Sequence, residues 1–160
     1  MDLKRPSYLD LKMGTNCVLR SIDSKSYMNF REYDLATTSV SHGFRVTGYC
    51  LNHNNEVQEY ICEDFGYSRT VAQVKNALHK LLTNPADSSH LAPSSLIKHL
   101  ISRIQGIHDL CLQKGLARIV GASLFFVSSR DYFEKYTDNN EDQLIYCEVY
   151  LIDLCHMELF

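Results

Sequence analysis

Residues 93–115 carry the pattern that most constrains how this chain can fold. The segment reads PSSLIKHLISRIQGIHDLCLQKG, and its apolar residues recur at helical spacing. Pro93 and Ser94 stand where a helix begins, and Gly115 stands just past its end. The predicted apolar stripe comprises Leu96, Ile97, Leu100, Ile101, Ile104, Ile107, Leu110 and Cys111. The pattern therefore predicts a long helix with one apolar side.

A second helix is predicted for residues 70–82. Its apolar positions are Val71, Val74, Leu78 and Leu81. Thr70 is a favourable N-cap residue, and the Asn-Pro pair that follows the segment is a helix-ending signal. The chain is thus predicted to have two main helices.

Strand-like segments flank these helices in two pairs. Residues 43–51 and 56–62 are separated by a short polar NHNN stretch, which predicts a hairpin. Residues 117–127 and 144–153 form the second pair, joined by the polar and acidic segment 128–143, which reads as an exposed loop. Antiparallel strand pairs at either end with helices between them predict an α+β fold.

Size and composition limit the classes of function. With 160 residues and 45% hydrophobic content, the chain fits one domain with its own core. A net charge of −3 argues against a general nucleic-acid or membrane-surface binder. The six cysteines contain no CxxC pair, no apolar stretch is long enough to span a membrane, and no hydrophobic targeting segment is present. We therefore expect a soluble protein of the cytoplasm, the nucleus or both.

The charges are unevenly distributed along the chain. Residues 1–31 hold six basic and three acidic side chains, whereas residues 131–160 hold eight acidic and one basic. We expect an anionic ligand to lie near the N-terminal segment and a cation to be drawn to the C-terminal one.

Two tempting motifs do not support a specific site. The tripeptide Asp64-Phe65-Gly66 occurs in protein kinases, but here no HRD-type catalytic loop precedes it, and we interpret it as a turn before a helix. The seven histidines show no zinc-binding spacing, so a structural zinc site is not expected.

The segment PSYLDLKMG, residues 6–14, places a carboxylate and an ammonium two positions apart. On a strand, Asp10 and Lys12 would point to one face. One interpretation is a surface ion pair of little energetic weight. In the other, Lys12 binds a phosphate, Asp10 orients or deprotonates a hydroxyl, and Gly14 permits a sharp exit of the backbone.

Asp153 ends a strongly apolar strand in the segment YLIDLCH. A carboxylate there either caps the following turn or meets a cation, because an unpaired charge at such a place is costly to desolvate. A metal ion is one such cation.

The chain resembles the inositol polyphosphate kinases through four motifs in the order of that family. Residues 6–14 match the P-x-x-x-D-x-K-x-G signature, and residues 37–48 are similar to the T/S-S-x-x-x-G-x-R-x-x-G segment. Residues 121–127 are similar to the S-S-L-L strand, with Ala122 at its first serine, and residues 151–156 resemble I-D-F-A-H, with leucine for the phenylalanine. The matching residues are Pro6, Asp10, Lys12, Gly14, Ser39, Gly43, Arg45, Gly48, Ser123, Leu124, Ile152, Asp153 and His156.

The resemblance implies roles for four residues in ATP-dependent phosphorylation of an inositol polyphosphate. Lys12 would contact a substrate phosphate, and Asp10 would lie close to the hydroxyl that receives the γ-phosphoryl group. Asp153 would hold the Mg²⁺ of ATP, and Ser123 would lie nearby on the cofactor side. Such an arrangement agrees with the general requirements of phosphoryl transfer.

Further basic residues should grip the other phosphates of the inositol ring. Between Gly14 and Ser39 these are chiefly Arg20, Lys25 and Arg31, of which Arg20 and Lys25 are assigned to the substrate. The sequence stretches DLKMGT and TTS are most similar to those of the inositol hexakisphosphate kinases, and the multikinase branch is the next most similar.

The resemblance also implies a partial domain. Family members carry an ATP-binding lobe before the first motif, where this chain has five residues, and they continue beyond the last motif. Residues 1–160 are therefore expected to form a C-terminal-lobe-like core, as a fragment or incomplete form of a kinase. The alternative is a non-catalytic module that binds an inositol phosphate or acts as a scaffold. An unrelated α+β fold with accidental motif matches is ranked last.

Overall fold

A computed structural model of the chain describes residues 6–17, 23–53, 56–61, 69–83, 94–113, 118–129, 147–154 and 157–158. The helices described there are α1 (Ser24–Ala36), α2 (Thr38–His42), α3 (Val71–Leu82) and α4 (Ser94–Leu112). The strands are β1 (Ser7–Met13), β2 (Phe44–His53), β3 (Glu56–Ile61), β4 (Arg118–Ile119), β5 (Ser123–Ser128), β6 (Cys147–Ile152) and β7 (Met157–Glu158). The predicted mixture of helices and antiparallel strands is confirmed.

The main sheet has five antiparallel strands in the order β3-β2-β1-β5-β6. Both predicted strand pairs form, as β2 with β3 and as β5 with β6. Strand β1 lies between the pairs and joins them into one sheet. The segment that carries Asp10 and Lys12 is thus the central strand, bonded to a neighbour on each side.

The hydrophobic core lies on one face of this sheet, under α3 and α4. Leu9 and Leu11 of β1 point into it and are 0% and 8% exposed. Their neighbours Asp10 and Lys12 point the other way, because successive side chains of a strand alternate between faces. Strand β1 therefore contributes to the core with one side and to the open face of the sheet with the other.

Helix α3 confirms the prediction for residues 70–82. Thr70 accepts a hydrogen bond from the backbone N–H of Gln73, and the Gln73 side chain accepts one from the Thr70 N–H, so the two form a capping box. Val74, Ala77 and Leu81 are buried against the sheet.

Helix α4 confirms the helix predicted in residues 93–115, but its apolar side is narrower than the pattern indicated. Leu96 and Leu100 are buried, whereas Ile101 and Leu110 are 60% and 53% exposed. Only the part of the stripe that faces the sheet is covered. The predicted helix start at Pro93 and stop at Gly115 lie outside the described residues, as do residues 54–55, 62–68 and 130–146 of the predicted loops and strand ends.

The prediction of one continuous strand over residues 117–127 is wrong. The segment divides into β4 and β5, and Gly121 between them has a φ of 71°. A Cβ atom at this glycine would lie 2.4 Å from the backbone oxygen of Cys17. The left-handed turn and the close approach of two backbones both require glycine here.

Helices α1 and α2 were not predicted. Helix α1 reads SKSYMNFREYDLA, which has no apolar stripe, and it is held by polar contacts instead. Asp23 caps its start by accepting a hydrogen bond of 2.9 Å from the Ser26 N–H. None of the helices in the described part of the chain is long and apolar enough to cross a membrane.

Candidate active site

The open face of the sheet forms a groove of about 380 Å³. Side chains from the central strands and from the end of β6 surround it. Among the described residues its lining comprises Tyr8, Asp10, Lys12, Thr47, Gly48, Tyr60, Ile61, Phe125 and Asp153. The groove thus collects charged residues of the first and last sequence motifs, and two of them, Lys12 and Asp153, are 141 positions apart.

Asp10 lies in the middle of the sheet, opposite Gly48 on β2 and Phe125 on β5. The β1–β2 register shifts directly after it, and the Thr47 hydroxyl there donates to the Asp10 backbone oxygen at 3.3 Å. The Oδ1 atom of Asp10 is buried and has no hydrogen-bond partner among the described residues. It is an acceptor without a donor, which is costly unless a ligand completes it.

Lys12 reaches across the groove to the far edge of the sheet. Its Nζ donates to the Gly121 backbone oxygen at 2.9 Å and to Asp153 Oδ2 at 3.0 Å. The Lys12 side chain is 20% exposed and that of Asp153 is 48% exposed. The surface ion pair considered for Asp10 and Lys12 is replaced by a pair between Lys12 and Asp153, so Lys12 is the cation that the Asp153 carboxylate meets.

Asp153 reaches Lys12 through an unusual backbone conformation. Asp153 follows β6 directly. Its φ is 61°, and no other non-glycine residue in the described part of the chain has a positive φ. Asp tolerates this left-handed region better than most residues, but the conformation still costs free energy. Strain of this kind accumulates at functional sites, and here it turns the carboxylate toward the groove.

Ser123 lies beside this ion pair. It is opposite Lys12 in the β1–β5 register and opposite Ile152 in the β5–β6 register. Its side chain is 0% exposed, and its Oγ has no hydrogen-bond partner in the described part of the chain. A second buried oxygen without a partner therefore lies next to the Lys12–Asp153 pair.

A sequence model described as "IPK: Inositol polyphosphate kinase" matches residues 1–159. The chain belongs to the inositol polyphosphate kinase family. It is 29% identical over 150 residues to the inositol polyphosphate multikinase of Saccharomyces cerevisiae, in a match that covers 79% of this chain and 40% of that relative. The chain thus spans less than half the length of the curated relative that it matches.

Solved structures of the kinase family share the fold. One is the inositol phosphate multikinase Ipk2 from S. cerevisiae in complex with ADP and Mn²⁺, with a TM-score of 0.74, 21% identity, and coverage of 99% of this chain and 70% of that one. Another, from structural studies and protein engineering of inositol phosphate multikinase, has a TM-score of 0.71 at the same identity and coverage. The predicted α+β kinase core is therefore confirmed as a fold.

The donor atoms in the groove suit a hard cation that also has ligands outside the protein. Within the described residues, no group of three or more His, Cys, Asp or Glu side chains could enclose a metal ion. The carboxylates of Asp153 and Asp10 line the groove, and the Ser123 hydroxyl, which has no partner among the described residues, lies opposite Lys12 on β5. Mg²⁺ is usually held by one or two carboxylates, waters and substrate phosphates, so these residues fit it.

The other residues predicted to bind the substrate are Arg20 and Lys25. Arg20 lies outside the described residues. Lys25 lies in the first turn of α1, is exposed, and is not among the described residues that line the groove. Arg31 of the same helix donates to the Thr15 backbone oxygen at 2.8 Å, which ties α1 to the loop after β1.

An aromatic wall of the groove was not anticipated. The rings of Tyr8 and Phe125 stack with centroids 5.6 Å apart, and Tyr60 stands beside them 59% exposed. Burial, followed by the proximity of Cys50 and Tyr60, raises the pKa of the Tyr8 hydroxyl. The signal was present in the sequence, because Tyr8, Asp10 and Lys12 alternate along one strand and must share a face.

Proposed function

We propose that this chain supplies the acceptor side of a site that phosphorylates an inositol polyphosphate with ATP. The observation that carries the proposal is the convergence of Asp10, Lys12 and Asp153 on one groove from distant parts of the sequence. Family membership and the shared fold support it.

In this proposal Lys12 serves as a point charge for a phosphate group. Its ammonium is held by one backbone oxygen and one half-exposed carboxylate. One of its N–H groups can therefore donate to a phosphate at little cost in free energy. Cations placed where charge develops are a main source of rate enhancement in phosphoryl transfer.

Asp10 is proposed to orient the attacking hydroxyl of the inositol ring and to accept its proton. Its Oδ1 is a buried acceptor that finds no donor in the described residues, and it lines the same groove as Lys12. A hydroxyl that donates to this oxygen would satisfy it. A general base must first lie within hydrogen-bond reach of the proton that it accepts, and Asp10 would meet this requirement.

Asp153 and Ser123 are proposed to face the nucleotide. Their oxygens would hold Mg²⁺, with the remaining ligands supplied by phosphates and water. When bound, the metal would neutralise charge on the transferring group. The Lys12–Asp153 contact would keep this carboxylate beside the acceptor site.

A heavily phosphorylated inositol is the proposed substrate, with inositol hexakisphosphate as the first candidate. The test incubates the purified chain with ATP, Mg²⁺ and either inositol trisphosphate or inositol hexakisphosphate, and separates the phosphorylated products. Lys12→Met should lower kcat/KM about 10²- to 10³-fold, as for other single groups that stabilise transition-state charge. Lys75→Met removes an exposed lysine of α3 outside the groove and should leave turnover unchanged.

Two outcomes would contradict the proposal. One is turnover that Lys12→Met does not reduce. The other is calorimetry in which the chain binds inositol hexakisphosphate but neither binds ATP nor transfers phosphate, which would favour a non-catalytic binding module.

A further inference from the structure

A buried ion pair lies on the groove side of the sheet, next to the site but outside the groove. Arg45 Nη1 donates to Asp34 Oδ1 at 2.6 Å and to the Ser39 hydroxyl at 2.9 Å. The side chains of Arg45 and Asp34 are 2% and 0% exposed. Arg45 of β2 is the cross-strand partner of Lys12. The pair therefore links α1 and α2 to the strand position beside the proposed phosphate-binding lysine.

The second oxygen of Asp34 holds the loop that leaves β1. Oδ2 of Asp34 accepts the backbone N–H of Cys17 at 3.0 Å. Arg45 Nη1 also lies 3.2 Å from the Cys17 sulfur. Earlier in the loop, the Gly14 N–H donates to the Gly43 backbone oxygen at 2.7 Å. The loop from Gly14 to Cys17 is thus fixed by groups on α1 and at the start of β2.

This loop passes close to Gly121, whose backbone oxygen accepts a hydrogen bond from Lys12. The backbone oxygen of Cys17 stands 2.4 Å from the place where a Cβ of Gly121 would be. The carbonyl oxygen of Gly121 is in turn an acceptor for Lys12 Nζ at 2.9 Å. A continuous series of contacts therefore runs from Asp34 through Cys17 and Gly121 to the Lys12 ammonium.

Stability alone does not account for an ion pair at this position. Burying two charges costs desolvation, and apolar residues of similar size often stabilise a protein as well or better. The Nε of Arg45 also has no acceptor among the described residues, which adds to the cost. Asp34 accepts hydrogen bonds from both the Cys17 N–H and the Arg45 guanidinium, which an apolar side chain could not do.

We propose that Asp34 and Arg45 are positioning residues for Lys12. They fix the Gly14–Cys17 loop against Gly121, so that the Gly121 carbonyl holds the ammonium at the place where a substrate phosphate binds. The phosphate-binding role of Lys12 rests on the proposed function, whereas the positioning itself does not. Asp34 and Arg45 touch no reacting group in this scheme and act through the loop.

The test compares Asp34→Asn with Leu81→Ala, which removes apolar contacts in the core of α3 and serves as a stability control. Asparagine keeps one acceptor oxygen but cannot serve both Arg45 and Cys17. Amide hydrogen exchange at Cys17 should accelerate about 10- to 100-fold in Asp34→Asn, the loss expected for one hydrogen bond to a charged group. In Leu81→Ala, exchange should rise only as far as global stability falls. The NMR signal of the Lys12 ammonium should shift in Asp34→Asn and not in Leu81→Ala.

Ser39→Ala provides a milder variant in case Asp34→Asn does not fold. It removes one hydrogen bond to Arg45 and should cause a smaller change of the same kind. In a chain that phosphorylates inositol hexakisphosphate, both variants should raise KM for that substrate more than KM for ATP. The positioning proposal is wrong if Cys17 exchange and the Lys12 signal in both variants match those of Leu81→Ala at equal stability. If the wild-type chain turns over no inositol phosphate, the proposed function fails while these two measurements still decide the positioning.

Discussion

The two faces of strand β1 are built on opposite principles. On one face, Leu9 and Leu11 are buried in an apolar core closed by α3 and α4. On the other, Asp10 and Lys12 line a groove whose polar groups either bond to distant segments or find no partner within the described part of the chain. One strand therefore presents a face optimised for packing and a face whose hydrogen bonds are incomplete.

Because the two faces differ in this way, substitutions on the core face should affect stability and substitutions on the groove face should affect function. Removing a buried apolar side chain leaves a cavity, so the core face should govern the free energy of unfolding. Removing a group of the groove leaves the packing intact and should change only what the groove binds. Neighbouring residues of the same strand should thus give opposite phenotypes.

Asp10→Asn should give the largest effect, and on activity alone. In the proposed reaction, an amide at this position cannot accept the proton of the attacking hydroxyl, so kcat for phosphorylation of the inositol phosphate should fall about 10²- to 10⁴-fold. The variant should keep the wild-type Tm, measured by thermal denaturation. Asp109→Asn, on the exposed surface of α4, is the matched control and should retain full activity. A variant at position 10 that loses its fold instead of its activity would break the contrast between the faces.

Leu9→Ala tests the opposite face at the adjacent position. Leu9 is 0% exposed and in the centre of the sheet, so urea denaturation should show a loss of about 2–5 kcal/mol in the free energy of unfolding. Leu110→Ala, at a 53% exposed position of α4, should change this quantity far less. Equal losses at the two leucines would mean that the core face does not dominate stability.

Gly121→Ala should have an intermediate effect on the free energy of unfolding. Gly121 contacts the groove residue Lys12 through its carbonyl oxygen, but its backbone conformation also requires glycine. Alanine would adopt a left-handed φ and would collide with the Cys17 oxygen, so a loss of roughly 1–3 kcal/mol in the free energy of unfolding is expected. Gly106→Ala is the control inside α4, where an added Cβ has no neighbour within 4 Å. It should stabilise the protein by about 0.5–1 kcal/mol, since alanine favours the helix. The same sign of change at both glycines would contradict this account.

The core face could be predicted from the sequence because its residues obey a regular pattern. The helical period located α3 and α4, and the polar loops between strand-like segments located both strand pairs. The central place of β1 could not be found in this way, since periodicity describes a strand and not its neighbours. The division of residues 117–127 was also missed, because the turn at Gly121 depends on contact with a loop more than a hundred positions away.

The groove was predicted only in part. Asp10, Lys12 and Asp153, which line the groove, and Ser123, the cross-strand partner of Lys12, could be named through family motifs. Their actual contacts could not be named, because Lys12 pairs with Asp153 through a positive φ that no local pattern indicates. Helix α1 was missed for a related reason: it is held by Asp23 and Asp34, and not by an apolar stripe.

The smallest predicted effects compare the helices on the two sides of the sheet through their N-caps. Thr70→Ala should lower the global free energy of unfolding by about 1 kcal/mol, because α3 is part of the core. Asp23→Ala should instead speed amide exchange within the first turn of α1, with little change in global unfolding.

The Ser26 hydroxyl and its backbone N–H, hydrogen-bonded to Asp23, lower the pKa of that carboxyl. A depressed pKa means that the cap stabilises the helix fully above about pH 4, the ordinary range for Asp, and that this is lost as the pH falls further. Protection of the amides in the first turn of α1, measured relative to the intrinsic exchange rate at each pH, should therefore fall in acid in the wild type and not in Asp23→Ala. A different result would be that Asp23→Ala lowers the global free energy of unfolding as much as Thr70→Ala does. Helix α1 would then unfold together with the core. The two sides of the sheet would differ in chemistry but not in their contribution to folding.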